Sequence, residues 1–328
     1  MHFYKTIFVL LIMFTNSKLF SYEEGIALNG DLEIYYRDYG PKDAEPILLV
    51  QGIGGQLINW PEHLIDFLLD NNFRPIVYDN RDTGLSSRIP SDSFSDAKRD
   101  NTIVKNYIRY YLRLPIKSDY TLDDMAVDGI SVLNKLDISE AHILGISMGG
   151  MIAQIIVSSN PERTKTFTLI SSTASTPSPF NGPTRKVRKL LMNRTKNPNS
   201  TVDERVARSR KIFTEIGYQG IDLNTEEFYN NVSISIERGG KDDTGFGRQL
   251  NAILASQNRL DKVKSISAPT LIIHGLEDPL IKVKNAQKAN KLIKGSKLII
   301  IDDMRHLIEP PVFNQFKDDL LEHLVKNK

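Results

Sequence analysis

The sequence predicts an α/β protein built on an open, mainly parallel sheet with helices on both faces. Three observations carry that prediction. Short apolar runs without polar alternation recur along the chain, the pattern of strands buried on both faces. Segments with apolar residues at helical spacing separate them, giving strand, helix, strand, helix in order. The composition is that of a globular chain large enough for one substantial core with an insertion: of 328 residues, 40% are hydrophobic and 25% charged. Its 42 Lys plus Arg stand against 40 Asp plus Glu, a balance that argues against nucleic acid as a partner. The absence of cysteine removes disulfides, thiolate metal sites and a cysteine nucleophile together.

The elements follow in chain order. Lys5 is the only Lys or Arg before an apolar run from Ile7 to Phe14, which gives way to Thr15, Asn16, Ser17 and Ser21. A membrane-spanning helix needs about 20 apolar residues, and this run breaks too soon. Residues 1–21 therefore read as a secretory signal peptide, cleaved after Ser17 or Ser21, and the mature protein is expected to be periplasmic or extracellular. Leu32 to Tyr39 alternates in part, while Pro46 to Val50 and Arg74 to Tyr78 are continuous buried strands. Between them, Leu64, Ile65, Leu68 and Leu69 give His63 to Leu69 a helical face. Later strands are predicted at Ala141 to Ile146, Thr166 to Ser171, Thr270 to His274 and Lys297 to Asp302. Helices are predicted at Thr121 to Leu136, Met148 to Ser159, Val283 to Ile293 and Asn314 to Val325. In such sheets ligands sit at the carboxyl ends of the strands.

The alternation fails between Pro177 and Lys264, so the core is assigned to residues 22–176 and 265–328 and residues 177–264 to a helical insertion. The first part of the insertion is basic: Arg185, Lys186, Arg188, Lys189, Arg194, Lys196, Arg205, Arg208, Arg210 and Lys211 face only Asp203 and Glu204. A solvated helical face explains this run. The sharper reading is weak association with an anionic membrane surface or an anionic substrate.

Chemistry concentrates at three strand ends. Gly145-Ile146-Ser147-Met148-Gly149 closes one strand and opens a helix at once. A serine on such a turn is exposed above the sheet, and glycines flank it because side chains there would meet neighbouring backbone. The helix beginning beneath Ser147 favours developing negative charge. A Gly-rich phosphate turn is the other reading, but neither the Gly-x-Gly-x-x-Gly spacing nor a P-loop Lys is present. A serine needs a base. Of six histidines, His2 lies in the signal, His63 opens a helix, His142 begins a strand, His274 sits inside one, where packing or support of the site is its expected role, and His323 lies on the final helix. His306, in the loop Asp303-Met304-Arg305-His306 after a strand, belongs at the carboxyl edge beside Ser147. The acid that orients it is assigned to Asp278, in Gly275-Leu276-Glu277-Asp278-Pro279, with Glu277 its immediate rival. Asp302 and Asp303 are close to His306 in sequence but too constrained to reach its ring. The order Ser147, Asp278, His306 is serine, acid, histidine. Oxyanion donors are assigned to the amides of Met148 and of Ile53, the latter in Gln51-Gly52-Ile53-Gly54-Gly55, where glycines let backbone come close; a plain turn is the other reading of that loop.

These residues resemble a family, the α/β-hydrolases, and within it the aclacinomycin methylesterase-like and proline iminopeptidase-like serine hydrolases. The resemblance rests on Gln51 to Gly55 with Trp60-Pro61, on Tyr78-Asp79-Asn80-Arg81-Asp82-Thr83-Gly84-Leu85-Ser86, on Gly145 to Gln154, and on His274 to Pro279. It spans about Gly30 to Ser175 and Ser265 to His323. It implies an α/β-hydrolase fold with an eight-stranded sheet, a helical cap inserted after the sixth strand, and serine hydrolysis. Three positions depart: Gln51 stands where histidine is common, Asp82 where glycine is frequent and Arg305 where glycine is usual. The first two departures occur in the methylesterase-like branch.

The expected protein is a secreted serine hydrolase of small-molecule carboxylic esters. Ser147 attacks, His306 moves the proton, Asp278 orients His306, and no metal or organic cofactor is needed because the protein carries the nucleophile. The substrate pocket is expected between cap and sheet, with Tyr107, Tyr110 and Tyr111 either contributing to it or packing at helical spacing. Two alternatives stand beside it. An amide or peptide hydrolase of the iminopeptidase type needs cap acids such as Glu226, Glu227 or Glu237 for the substrate amine. A ligand-binding protein would keep the fold with negligible turnover. Aspartate would replace Ser147 in a dehalogenase or epoxide hydrolase.

Overall fold

The computed structural model describes residues 21–90, 99–112, 114–175, 182–192, 200–239, 244–256 and 259–327. All but the last residue of the predicted signal segment, and both Arg194 and Lys196 of the basic run, lie outside the described residues. Eight strands form one sheet: β1 (Tyr22–Asn29), β2 (Leu32–Tyr39), β3 (Glu45–Val50), β4 (Phe73–Tyr78), β5 (Ala141–Ile146), β6 (Thr164–Ile170), β7 (Thr270–Gly275) and β8 (Lys297–Ile301), in the order β1-β2-β4-β3-β5-β6-β7-β8. The pairs β1/β2 and β2/β4 are antiparallel and the rest are parallel.

The continuous apolar runs have a direct packing cause. Along β3, Leu48 and Val50 enter one core layer while Ile47 and Leu49 enter the other; along β4, Ile76 and Tyr78 oppose Val77 in the same way. A strand covered on both faces has no solvated side to supply alternation. One layer is closed by α3 (Leu122–Lys135), α4 (Met148–Ser159) and α10 (Lys284–Leu292), and the other by α1 (Glu62–Asp70) and α12 (Lys317–Val325). Each fully buried Leu or Ile stabilises the fold by about 1.5–3 kcal/mol relative to exposure, so these two layers dominate its energetics. Thr121 starts α3 with a capping box: its hydroxyl accepts from the Asp124 amide, and the Asp124 carboxylate accepts from the Thr121 amide.

Two core elements differ from the prediction. β1 escapes periodicity because Ala27 is its only buried residue. Its strand form comes from pairing with β2, from Tyr22 with Tyr39 to Asn29 with Leu32, around Gly30 at φ +61°. The two-residue loop Gly30-Asp31, with glycine at its first position, is the local signal for that hairpin. A helix, α2 (Arg99–Tyr111), fills a stretch given no element; Asn106 on it is buried and hydrogen bonds Asn251.

Between β6 and β7 lie α5 (Arg185–Met192), α6 (Val202–Ile216), α7 (Glu226–Gly239), α8 (Thr244–Ala255) and α9 (Leu260–Lys264). Part of their positive charge is consumed locally. Arg205 is buried, Arg210 Nε donates to the Leu223 carbonyl with its guanidinium over the Phe228 ring, and Lys186 pairs with Glu215. Among the described residues no helix is long and apolar enough to cross a membrane.

Candidate active site

Ser147 follows β5 directly and has φ +57°, ψ −122°, in the left-handed half of the map that serine rarely adopts. The neighbouring chain over-determines this conformation. Its amide donates to the Ile170 carbonyl at 3.0 Å and its carbonyl accepts from Ser172 Oγ at 2.6 Å. A Cβ on Gly149 would stand 1.9 Å from the Val50 carbonyl oxygen, and one on Gly145 would stand 2.5 Å from that of Gly149. No side chain fits either position, which is the physical content of the Gly-x-Ser-x-Gly spacing. The N-terminus of α4 lies directly after Ser147 and favours negative charge there.

His306 and Asp278 meet as their positions predict. His306 Nδ1 lies 2.7 Å from Asp278 Oδ2, both residues being buried. The other carboxylate oxygen, Oδ1, accepts the amides of Leu280 and Ile281 at 2.8 Å each. Each oxygen of Asp278 thus has a fixed task. The rivals Glu277, Asp302 and Asp303 are exposed. His274 is fully buried beside this pair: its Nε2 contacts the Ile281 carbonyl at 2.7 Å and lies 3.5 Å from Asp278 Oδ2. Burial lowers its pKa, so it is neutral.

Of the remaining described histidines, His142 and His323 serve the scaffold, while His63 also faces the cavity between α1 and the end of α6. His63 packs against Phe313, His142 Nδ1 meets Thr166 Oγ1 at the amino edge of the sheet, and His323 Nε2 meets the Phe167 carbonyl. Tyr107 stacks on Tyr111, and Tyr111 is exposed. That cavity, of about 350 Å³, opens between α1, the end of α6 and the loop after His306. Trp60, Phe213, Tyr218 and Leu307 line it together with Gln51 and Ile146, the residues preceding the oxyanion loop and Ser147; none of the three tyrosines does.

The Gln51 to Gly55 loop, the candidate for the oxyanion donor, lies against Ser147, since a Cβ on Gly52 would stand 3.2 Å from that of Ser147. Gln51 Oε1 accepts the Gly52 amide at 2.8 Å, Asn80 Nδ2 donates to the Gln51 carbonyl, and Gly54 takes φ +67°. The departures from the family pattern have visible causes. Asp82 sits at φ +69°, which explains the frequent glycine; its carboxylate is held by Arg248 Nε at 2.9 Å and Nη2 at 2.7 Å and by Tyr120 Oη. Arg305 points away from the triad, donating to the Glu215 carbonyl, where its charge suits the C-terminal end of α6. The His306 amide donates to the Ile216 carbonyl at 2.9 Å.

Arg248 and Gln249 on α8 are the site-supporting residues that sequence reading misses; for His274 a packed or supporting role is what its strand position predicts, and it lies 3.5 Å from Asp278 Oδ2. The two α8 residues lie in a helix without strand landmarks, and no spacing links them to Asp82 or Gly54. Among the described residues no group of three or more His, Asp or Glu side chains is arranged to hold a metal ion.

Comparison with known proteins agrees with this geometry. Rhodomycin D methylesterase DnrP of Streptomyces peucetius is 24% identical over 311 residues, covering 90% of this chain and 92% of its own. Among solved structures, 2-hydroxy-6-oxo-6-phenylhexa-2,4-dienoate hydrolase from Rhodococcus sp. strain RHA1 superimposes with a TM-score of 0.68 at 18% identity, covering 93% of this chain and 99% of that one. The enol-lactonase from Burkholderia xenovorans LB400 gives 0.68 at 19% identity, covering 92% and 100%. Residues 45–308, which hold every candidate site residue, match the alpha/beta hydrolase fold, and the chain belongs to that family.

Proposed function

We propose that the protein is a serine hydrolase of carboxylic esters. The observation that carries the reading is the 2.7 Å contact between His306 Nδ1 and Asp278 Oδ2 at the sheet edge where the strained Ser147 turn also lies. Ser147 Oγ adds to the ester carbonyl as its proton passes to His306 Nε2, and the amides of Ile53 and Met148 receive the oxyanion. The tetrahedral adduct expels the alcohol, which takes the proton from His306 and leaves Ser147 acylated. Water, deprotonated by His306, then releases the acid and restores Ser147. Asp278 fixes the His306 tautomer and stabilises the imidazolium without itself being protonated. A methylesterase among the relatives supports ester cleavage over other hydrolysis. The iminopeptidase-type alternative loses support because Glu226, Glu227 and Glu237 are all exposed on α7.

The test is turnover of p-nitrophenyl esters from acetate to palmitate by the mature protein and by Ser147→Ala. A loss of roughly 10⁴-fold or more in kcat with the fold intact is expected. Equal turnover by both proteins overturns the assignment of Ser147, and no ester turnover by folded wild type overturns ester hydrolysis.

We further propose that the mature protein lies outside the cytosol and has weak, salt-sensitive affinity for anionic membranes through Arg185, Arg188 and Lys189 on α5. Recovery of the protein from the cytosol with Met1 intact would contradict the first part. Vesicle binding that is insensitive to salt would contradict the second.

A further inference from the structure

We propose that Gln249, on cap helix α8, is the positioning residue of the oxyanion hole, so that the hole is complete only with α8 seated on the core. The proposal rests on the reading of Ile53 as an oxyanion donor. Ile53 stands in a loop with Gly52 before it and Gly54 and Gly55 after it, residues without side chains to anchor the backbone. Within the loop, the Gly55 amide donates to the Gly52 carbonyl at 3.1 Å and closes a turn around Ile53; the remaining anchors are side chains of Gln51, Asn80 and Gln249. On the incoming side stand Gln51 and Asn80. On the outgoing side, the Gly54 amide donates to Gln249 Oε1 at 2.8 Å.

Gln249 is itself rigidly held. Its side chain is fully buried, and its Nε2 donates to the Arg81 carbonyl at 2.8 Å. An amide N–H can only donate and a carbonyl can only accept, so these partners admit one orientation of the carboxamide. The preceding residue, Arg248, grips Asp82 through a buried bidentate pair. Two consecutive residues of α8 thus bind the two loops that follow β3 and β4. If α8 lifts, Gln249 leaves with it and the Gly54 amide loses its acceptor, so that the Gly55-to-Gly52 hydrogen bond holds the turn without it and the Ile53 amide is aimed less tightly.

The experiment uses the full mature protein and the variants Gln249→Leu and Gln249→Met, either of which suffices if the other does not fold. A double variant, Asp82→Asn with Arg248→Met, loosens α8 without touching the oxyanion loop and without stranding a buried charge. Steady-state kinetics on the preferred p-nitrophenyl ester are paired with inhibition by an alkyl trifluoromethyl ketone, whose hemiketal oxyanion occupies the hole. For the Gln249 variants kcat is expected to fall roughly 10- to 100-fold with KM within about threefold, and inhibitor affinity to fall in parallel. The double variant weakens the seat of α8 and is expected to lower both quantities in the same direction as the Gln249 variants and by less. Unchanged kcat in a folded Gln249 variant overturns the proposal, as does a fall in kcat without loss of inhibitor affinity. So does a double variant whose kcat falls while its inhibitor affinity is unchanged. Turnover surviving Ser147→Ala would instead be a failure of the serine assignment, read independently of Gln249.

Discussion

Burial sets the chemistry of several single residues far from the site, and His323 shows the consequence most simply. Enclosure on α12 lowers its pKa from 6.5 to about 4. Between those values the unfolded chain binds a proton that the folded protein refuses, so this residue makes stability fall as pH falls from about 6.5 to about 4, and it contributes no slope above that window. His323→Gln, which keeps a donor for the Phe167 carbonyl, should reduce the loss of unfolding free energy between about pH 7 and about pH 4.5 by roughly 1 to 2 kcal/mol. Urea titrations at the two pH values measure it. At the site, Asp278→Asn should lower kcat by roughly 10⁴-fold with little change in KM, because an amide cannot hold His306 in the required tautomer. Single residues were also where sequence reading went furthest. Ser147, Asp278 and His306 each follow a strand end that apolar runs make visible, and the parallel order β5-β6-β7-β8 carries those ends to one edge of the sheet. Gln249 left no such trace, since its role is defined by what α8 lands on.

Elements repeat that contrast. β3, β4, β5 and β7 were legible because burial on both faces leaves unbroken apolar runs. β1 and α2 were not, since most of the β1 side chains are exposed and α2 is charged along much of its length. The turn from β5 into α4 is the most constrained junction in the fold. Gly149→Ala should therefore be far worse than an ordinary overpacking change of about 1–3 kcal/mol, because the methyl group meets backbone that cannot rotate away. Expression in the soluble fraction and the urea midpoint report it.

Across the whole molecule, the cap is fastened by buried charge. Arg248 pairs with Asp82, and Arg238 on α7 reaches the fully buried Asp79 at 3.1 Å. Arg248→Met alone leaves Asp82 buried and unpaired and should cost about 3–5 kcal/mol. The double variant Asp82→Asn with Arg248→Met should recover most of that loss, and thermal melts of the pair distinguish a stranded charge from lost packing. The sequence contains these four residues in plain view, yet their pairing spans more than 150 positions and only the folded chain joins them.

The strap between His306 and the end of α6 reaches beyond stability. The peptide N–H of His306, the proposed general base, is spoken for by a carbonyl of the insertion, and the adjoining Arg305 guanidinium covers the same helix end. Grafting a foreign lid from another member of the family therefore cannot treat the insertion as an interchangeable part. A working chimera has to bring along a helix terminus that presents a carbonyl where Ile216 presents its own, or it inherits a misaligned base.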